Sequence, residues 1–271
     1  MAIIKPFKAI RPAADKVHLV ATRSVDRYKP AELNAKMAEN PYTFFHVIRP
    51  EFNEPLKSKI GTPELLKKIK KKFTDFRKRE ILIQDKQEAF YIYQQSGTDY
   101  SYTGIIGCAS IDDYFNQVIK IHEQTITERE EKLKSYLEVC DFNAEPVCMM
   151  YPDNQVINEL ISKYTHQRPL YDFSTTDTLR HKVWEIMNVD DINIVETEFS
   201  KIPAIYIADG HHRSASSALL GKSLKEKNQH HSGKEAYNFY MCIFFPESQL
   251  KIYDYNRVVK DLGGLSSVEL L

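Results

Sequence analysis

The sequence is poor in the residues that mark specialised protein classes. Its four cysteines (Cys108, Cys140, Cys148, Cys242) form no CxxC pair and no spacing typical of a zinc site. That pattern argues against a disulfide scaffold and predicts buried thiols of a reducing compartment. No apolar run approaches the roughly 18 residues needed to span a bilayer, so no membrane partner is expected. The opening residues MAIIKPFKAIRP lack the long apolar h-region of a signal peptide, and a cytoplasmic location is expected. An excess of either charge is missing too: 37 Lys and Arg balance 37 Asp and Glu, for a net charge of zero. A dedicated nucleic-acid or membrane-surface binder usually carries a basic excess, so the composition argues against both. Internal repeats and low-complexity linkers are also lacking.

What is present is ordinary globular chemistry. Of the 271 residues, 42% are hydrophobic and 11% aromatic, enough for one large domain or two small ones with a real core. Residues 16–25 and 41–51 read as strands, and 29–40 as a helix starting after Pro30. Thr62 and Pro63 supply an N-cap and first-turn proline for a helix with Leu65, Leu66, Ile69, Phe73 and Phe76 on one face. Its polar face is basic, which reads first as a solvated surface. Residues 89–111 predict a hairpin turning at Ser96-Gly97-Thr98-Asp99. Residues 111–139 predict one long helix, or two with a break. Short strands at PVCMMY, TLRHKVWEI, AIYIAD, YNFYMCIFF and LKIYDYN alternate with helical segments, DDINIVETEFS mixing helix and turn. Alternation without a fixed period predicts an α/β or α+β fold, a mixed sheet with flanking helices.

The chemistry concentrates in AIYIADGHHRSASSALLGK, residues 204–222, where a strand breaks at Gly210 and a helix begins. A glycine suits a turn that needs a permissive backbone. The first N–H groups of the helix lack partners and sit at the positive end of its dipole, which makes an anion site. Arg213 offers a planar donor fork for phosphate, and His211 or His212 can donate or carry charge. Asp209, at the carboxyl end of the strand, could hold Mg²⁺, accept a proton or simply cap the helix. Adjacent histidines point to different sides, which argues against a shared zinc ion. His122-Glu123 lacks the second histidine of HExxH, so a metalloprotease is not expected.

YIADGHHRSASSAL resembles the signature of the ParB/sulfiredoxin superfamily, in its free serine kinase form Asp-Gly-His-His-Arg. The whole chain is more similar to the family called domain of unknown function 1015. PFKAIRP, NPYTFFHVIRPE, GIIGCASIDDY, IKIHEQT, RHKVWEI, IADGHHRSAS and YDYNRVVKDL carry that likeness, in order from end to end. Two departures stand out. Ser24-Val25-Asp26 replaces the family's Pro-Tyr-Asp, keeping only the acid. The family also continues past the point where this chain stops, so a C-terminally incomplete chain is expected.

The resemblance implies a ParB/sulfiredoxin-like nucleotide-binding core with inserted elements, built from about residues 1–56 and 195–260 around an inserted 57–194 segment. It implies a nucleotide- and Mg²⁺-dependent phosphotransferase, most concretely a free L-serine kinase forming O-phosphoserine or running in reverse, with ATP or ADP. Glu32, which follows Lys29-Pro30 as the base does in the serine kinases, takes the base role or is merely a first-turn helix acid. Asp209 and His212 join it as catalytic residues, Asp209 also holding magnesium. Gly210, His211, Arg213 and Ser214 cradle the phosphates, while Glu51 (the reserve base), His122 and Arg257 could line the substrate pocket or only brace the fold. A non-catalytic, nucleotide-binding regulator of the ParB type is the alternative. A sulfiredoxin-type redox enzyme ranks last, because His211-His212 stands where that chemistry needs a cysteine. Oligomeric state and the true substrate stay open.

Overall fold

The computed structural model describes residues 1–254, 256, 260–264 and 266–270. In chain order the first elements are β1 (Ile4–Lys5), β2 (Ile10–Pro12), α1 (Val17–Val20), α2 (Pro30–Glu39), α3 (Phe45–Ile48) and α4 (Pro63–Lys78). Next come β3 (Leu82–Gln84), β4 (Phe90–Ser96), β5 (Ser101–Ser110), α5 (Ile111–Phe115), β6 (Ile119–Lys120), α6 (Thr127–Cys140) and β7 (Val147–Tyr151). The rest are α7 (Gln155–Thr165), β8 (Tyr171–Ser174), β9 (Arg180–Ile186), α8 (Val189–Phe199), β10 (Ile205–Asp209), α9 (His211–Lys227), β11 (Phe239–Pro246) and α10 (Ser267–Leu270).

A nine-stranded mixed sheet runs β6-β10-β7-β11-β5-β4-β9-β8, with β1 paired to β5, while β2 and β3 make a separate two-stranded ribbon. The β6–β10 and β7–β11 pairs are parallel and the others antiparallel. The fold is thus the expected mixed α/β class. Alternate strand residues, among them Ile92, Ile105, Met149, Ile207 and Phe244, point to one face. There they share a buried cluster with Ile111, Ile157, Phe199 and Ala218 from α5, α7, α8 and α9. A second cluster joins Leu66, Ile69, Phe73 and Phe76 of α4 to Cys140 of α6 and Val47 of α3. The α4 start and stripe follow their sequence signals, with Thr62 Oγ1 accepting from the Leu65 N–H at 3.5 Å.

Several expected elements differ. Residues 16–25 and 41–51 hold short helices instead of strands. Thr43, Phe45 and Val47 keep the alternating burial of a strand, but the His46 N–H donates to Thr43 O and the Val47 N–H to Phe44 O. Among the described residues no strand pairs with this stretch, so the backbone bonds locally. Of the two expectations for 111–139, the structure takes the broken one, α5 and α6, but the break holds a strand: Gln117 turns left-handed at φ 59° and β6 follows, pairing with β10. Residues 190–200, read as helix and turn, are helical as far as Phe199, and Asn188 caps that helix by accepting from the Asp190 and Asp191 N–H groups. Residues 250–254, expected in a strand, carry none.

Candidate functional site

The turn between β10 and α9 is built by two backbone devices. Ala208 is the extra residue of a bulge, since Ile207 faces Met149 while Asp209 faces Cys148. Gly210 then sits at φ 99°, ψ 33°, a left-handed conformation that side chains disfavour. A Cβ there would also stand 3.1 Å from the Arg213 guanidinium, which would have to shift slightly, so the backbone conformation is what favours glycine. Farther along α9, a Cβ on Gly221 would meet Tyr237 O at 2.3 Å; this close approach fixes the helix against the segment before β11.

The first intrahelical bond of α9 runs from the Ser214 N–H to Gly210 O at 2.9 Å. The N–H groups of His211, His212 and Arg213 therefore have no intrahelical acceptor. No side chain caps this end and its first turn holds no acid. It opens into a cleft of about 400 Å³ that also exposes Arg129 and Lys132 of α6, with Glu123, Glu145 and Asp209 as its carboxylates. Lys132 pairs with Glu128 at 2.7 Å, whereas Arg129 has no carboxylate partner among the described residues.

Each expected residue apart from Arg257 has a definite place. Asp209 is exposed and bonds Arg213 Nη2 at 2.6 Å. Arg213 also donates from Nη1 to Pro146 O at 2.6 Å and lies 3.6 Å from Glu145, so its fork is already engaged. His211 is buried, with Nδ1 3.4 Å from Glu123 and Nε2 accepting from the His122 N–H at 3.5 Å. Burial, with His122 next in weight, holds the His211 pKa below its ordinary value. The His122 and His211 rings meet edge to face at 4.3 Å, so the HEQT segment and the Gly-His-His-Arg loop share one wall. His212 keeps a buried Nδ1 that has no hydrogen-bond partner among the described residues. Ser214 is fully buried beneath the helix start and bonds the Tyr240 hydroxyl at 2.7 Å.

The other residues lie apart from this cleft. Glu32 pairs with Arg23 at 3.3 Å on the face of α2 and does not line it. Glu51 is buried and accepts from Ser58 N, Ser58 Oγ and Lys68 Nζ at 2.6–2.7 Å. The Lys68 ammonium, ahead of Ser58, pulls its pKa down to about 2, so it anchors a loop and makes a poor proton acceptor. Arg257 lies outside the described residues. Arg129, Lys132 and Glu145 were not foreseen: TEREEKLKSY carries charge on every side, and nothing in that string says which side meets α9. All four cysteines are free. Burial pushes Cys108 up to about 12 and Cys140 and Cys148 up to about 11, away from thiolate chemistry. No helix among the described residues is long and apolar enough to cross a membrane.

Fold and loop together define a mixed α/β protein with a strand–glycine–helix turn opening into a polar cleft. Residues 4–271 match the family model described as "Protein of unknown function (DUF1015)", and the chain belongs to that family. No curated protein and no solved structure matches it.

Proposed function

We propose that the protein is a nucleotide- and Mg²⁺-dependent phosphotransferase acting on a small hydroxyl metabolite, most concretely free L-serine, in the forward or reverse direction. One observation carries the reading: an uncapped, 17-residue helix opens its N-terminus into a cleft beside Arg129 and Lys132. Three converging N–H groups, a positive dipole end and two cations suit the oxygens of a polyphosphate. Phosphoryl transfer asks mainly for positioning and charge stabilisation, which such a cradle supplies.

Glu123, Glu145 and Asp209 are the carboxylates within the cleft, and Glu123 beside His211 is the best-placed proton acceptor for a substrate hydroxyl. No three His, Cys, Asp or Glu side chains converge as a metal cage among the described residues. That donor set suits Mg²⁺ carried in on the nucleotide and held by one or two carboxylates and water. Bound in that way, the ion would neutralise developing charge on the transferred group. His212 and Arg213 flank the same space, and Gly210 keeps the backbone close to it.

The test is direct. The full natural chain with ATP or ADP, Mg²⁺ and L-serine is expected to yield O-phosphoserine by mass spectrometry. The Arg129→Ala/Lys132→Ala variant is expected to lose about 10²-fold or more in kcat/KM. No product with either nucleotide overturns the kinase reading. One observation favours a nucleotide-binding regulator instead: the side chains of Asp209, Glu123 and Glu145 are 77%, 60% and 71% exposed, so none is desolvated in advance as a base. That reading predicts nucleotide affinity lost in the same variant, with no turnover in any chain.

A further inference from the structure

A second chamber of about 490 Å³ lies beyond the cleft, under the loop that joins α3 to α4. Its walls are mostly apolar and include two aromatic rings, Phe52 and Tyr136, facing the same space as Ile48 and Leu65. Cavities of this size and lining hold most small-molecule ligands. It adjoins the phosphate cleft in two ways. Lys132 and Leu133 line both. A smaller gap of about 220 Å³ is bordered by Ile48, Leu133 and Tyr136 on the chamber side and by Glu145 and Arg213 on the cleft side.

The polar groups of the chamber narrow its occupant. The Ser58 hydroxyl and the Glu51 carboxylate are spent on each other. The exposed Asn34 carboxamide lines the chamber with no hydrogen-bond partner among the described residues, and offers a donor and an acceptor side by side. Arg49 and Lys57 line it without a carboxylate partner among the described residues. Two aromatic rings, aliphatic walls and one amide suit a flat heteroaromatic ring with hydrogen-bonding edges. Cations at the rim and on the shared wall suit a ring that carries an anionic tail.

We propose that this chamber is the base-binding half of the site, holding the purine ring and ribose of a nucleotide whose phosphates lie at the N-terminus of α9. The inference rests on the phosphate reading of the cleft and adds where the base and ribose of the nucleotide lie. Tripolyphosphate fills the cleft only, whereas ADP fills cleft and chamber.

Calorimetric titration with Mg²⁺ present separates the two halves. Wild type is expected to bind ADP at least about tenfold more tightly than inorganic tripolyphosphate. Leu65→Trp, which puts a bulky indole into the chamber from a half-buried position, is expected to abolish that advantage and leave tripolyphosphate within twofold. Asn34→Ala, at an exposed position that does not threaten folding, is expected to weaken ADP about fivefold and tripolyphosphate not at all. Photolabelling with 8-azido-ADP is expected to mark peptides that contain Phe52, Leu65 or Tyr136. Equal affinity for the two ligands in wild type, equal losses in the variants, or label elsewhere overturns the chamber assignment and spares the cleft. A wild type that binds neither ligand overturns the cleft reading and this inference with it.

Discussion

Ser214 ties the exposed turn to the core beneath it. Its hydroxyl and that of Tyr240 are both buried and bonded at 2.7 Å, and burial drives the Tyr240 pKa well above its ordinary value. The phenol is therefore neutral at every physiological pH and needs its partner as a hydrogen-bonding group. Ser214→Ala strands a buried hydroxyl, at a cost of about 1–3 kcal/mol, whereas removing both partners costs less than the sum. Urea unfolding of Ser214→Ala, Tyr240→Phe and the double variant is expected to show that coupling; strict additivity would deny it. At this scale the sequence was half legible. Gly210 and the helix after it could be read from residue type, because a strand that breaks at glycine before small residues has few conformations open to it. The inward turn of His211 and Ser214 could not, since it depends on where β11 lies beneath the helix.

Among the elements, signals that are local and redundant were readable. The Thr62-Pro63 start of α4, the Ser96–Asp99 turn and the β10–Gly210–α9 break each need only a few adjacent residues. Residues 41–51 carried equally strong β-branched and aromatic signals but form a turn and one helical turn, because strand formation needs a partner that the topology puts elsewhere. The loop after that turn is held by Glu51, whose three donors come from Ser58 and Lys68. Its carboxyl falls from an ordinary 4.5 to about 2 on folding. The stabilisation from ionised Glu51 is thus fully present above about 4.5 and lost as the pH falls toward 2. Glu51→Gln is expected to be less stable than wild type at pH 7, with the gap narrowing steadily between pH 4.5 and pH 2. Denaturation midpoints measured across that window check it, and a gap that does not change with pH would remove Glu51 from the role.

For the whole molecule, the mixed α/β class followed from the alternation of segments, but the strand order did not. Strands from residues 57–194 and from either side of that segment share the nine-stranded sheet, through pairs that local sequence does not encode. Among the side chains that tie the β2–β3 ribbon to that sheet, Arg11 makes the most polar contacts. Arg11 on β2 grips Asp85 with Nε at 2.9 and 3.0 Å, Tyr171 of β8 at 2.7 Å and Glu185 of β9 at 3.3 Å. Tyr91 of β4 donates to Asp85 at 2.6 Å, and all three charged side chains are 13–17% exposed. Removing the arginine leaves two carboxylates facing each other with little water. Arg11→Met is therefore expected to cost about 3 kcal/mol, at the low end for a broken buried pair because some solvent remains. Burial already holds the Glu185 carboxyl above its ordinary value with Arg11 in place. Without Arg11, the Glu185 carboxyl should take up a proton more readily in the folded state, so the defect should shrink as the pH falls from 7 to 5. Glu185→Gln in the Arg11→Met background should recover part of the loss at pH 7 by removing one stranded charge. Urea unfolding of the three chains at both pH values decides it. A defect of the same size at pH 7 and pH 5, untouched by Glu185→Gln, would mean that Arg11 acts through packing and not as the charge that joins ribbon to sheet.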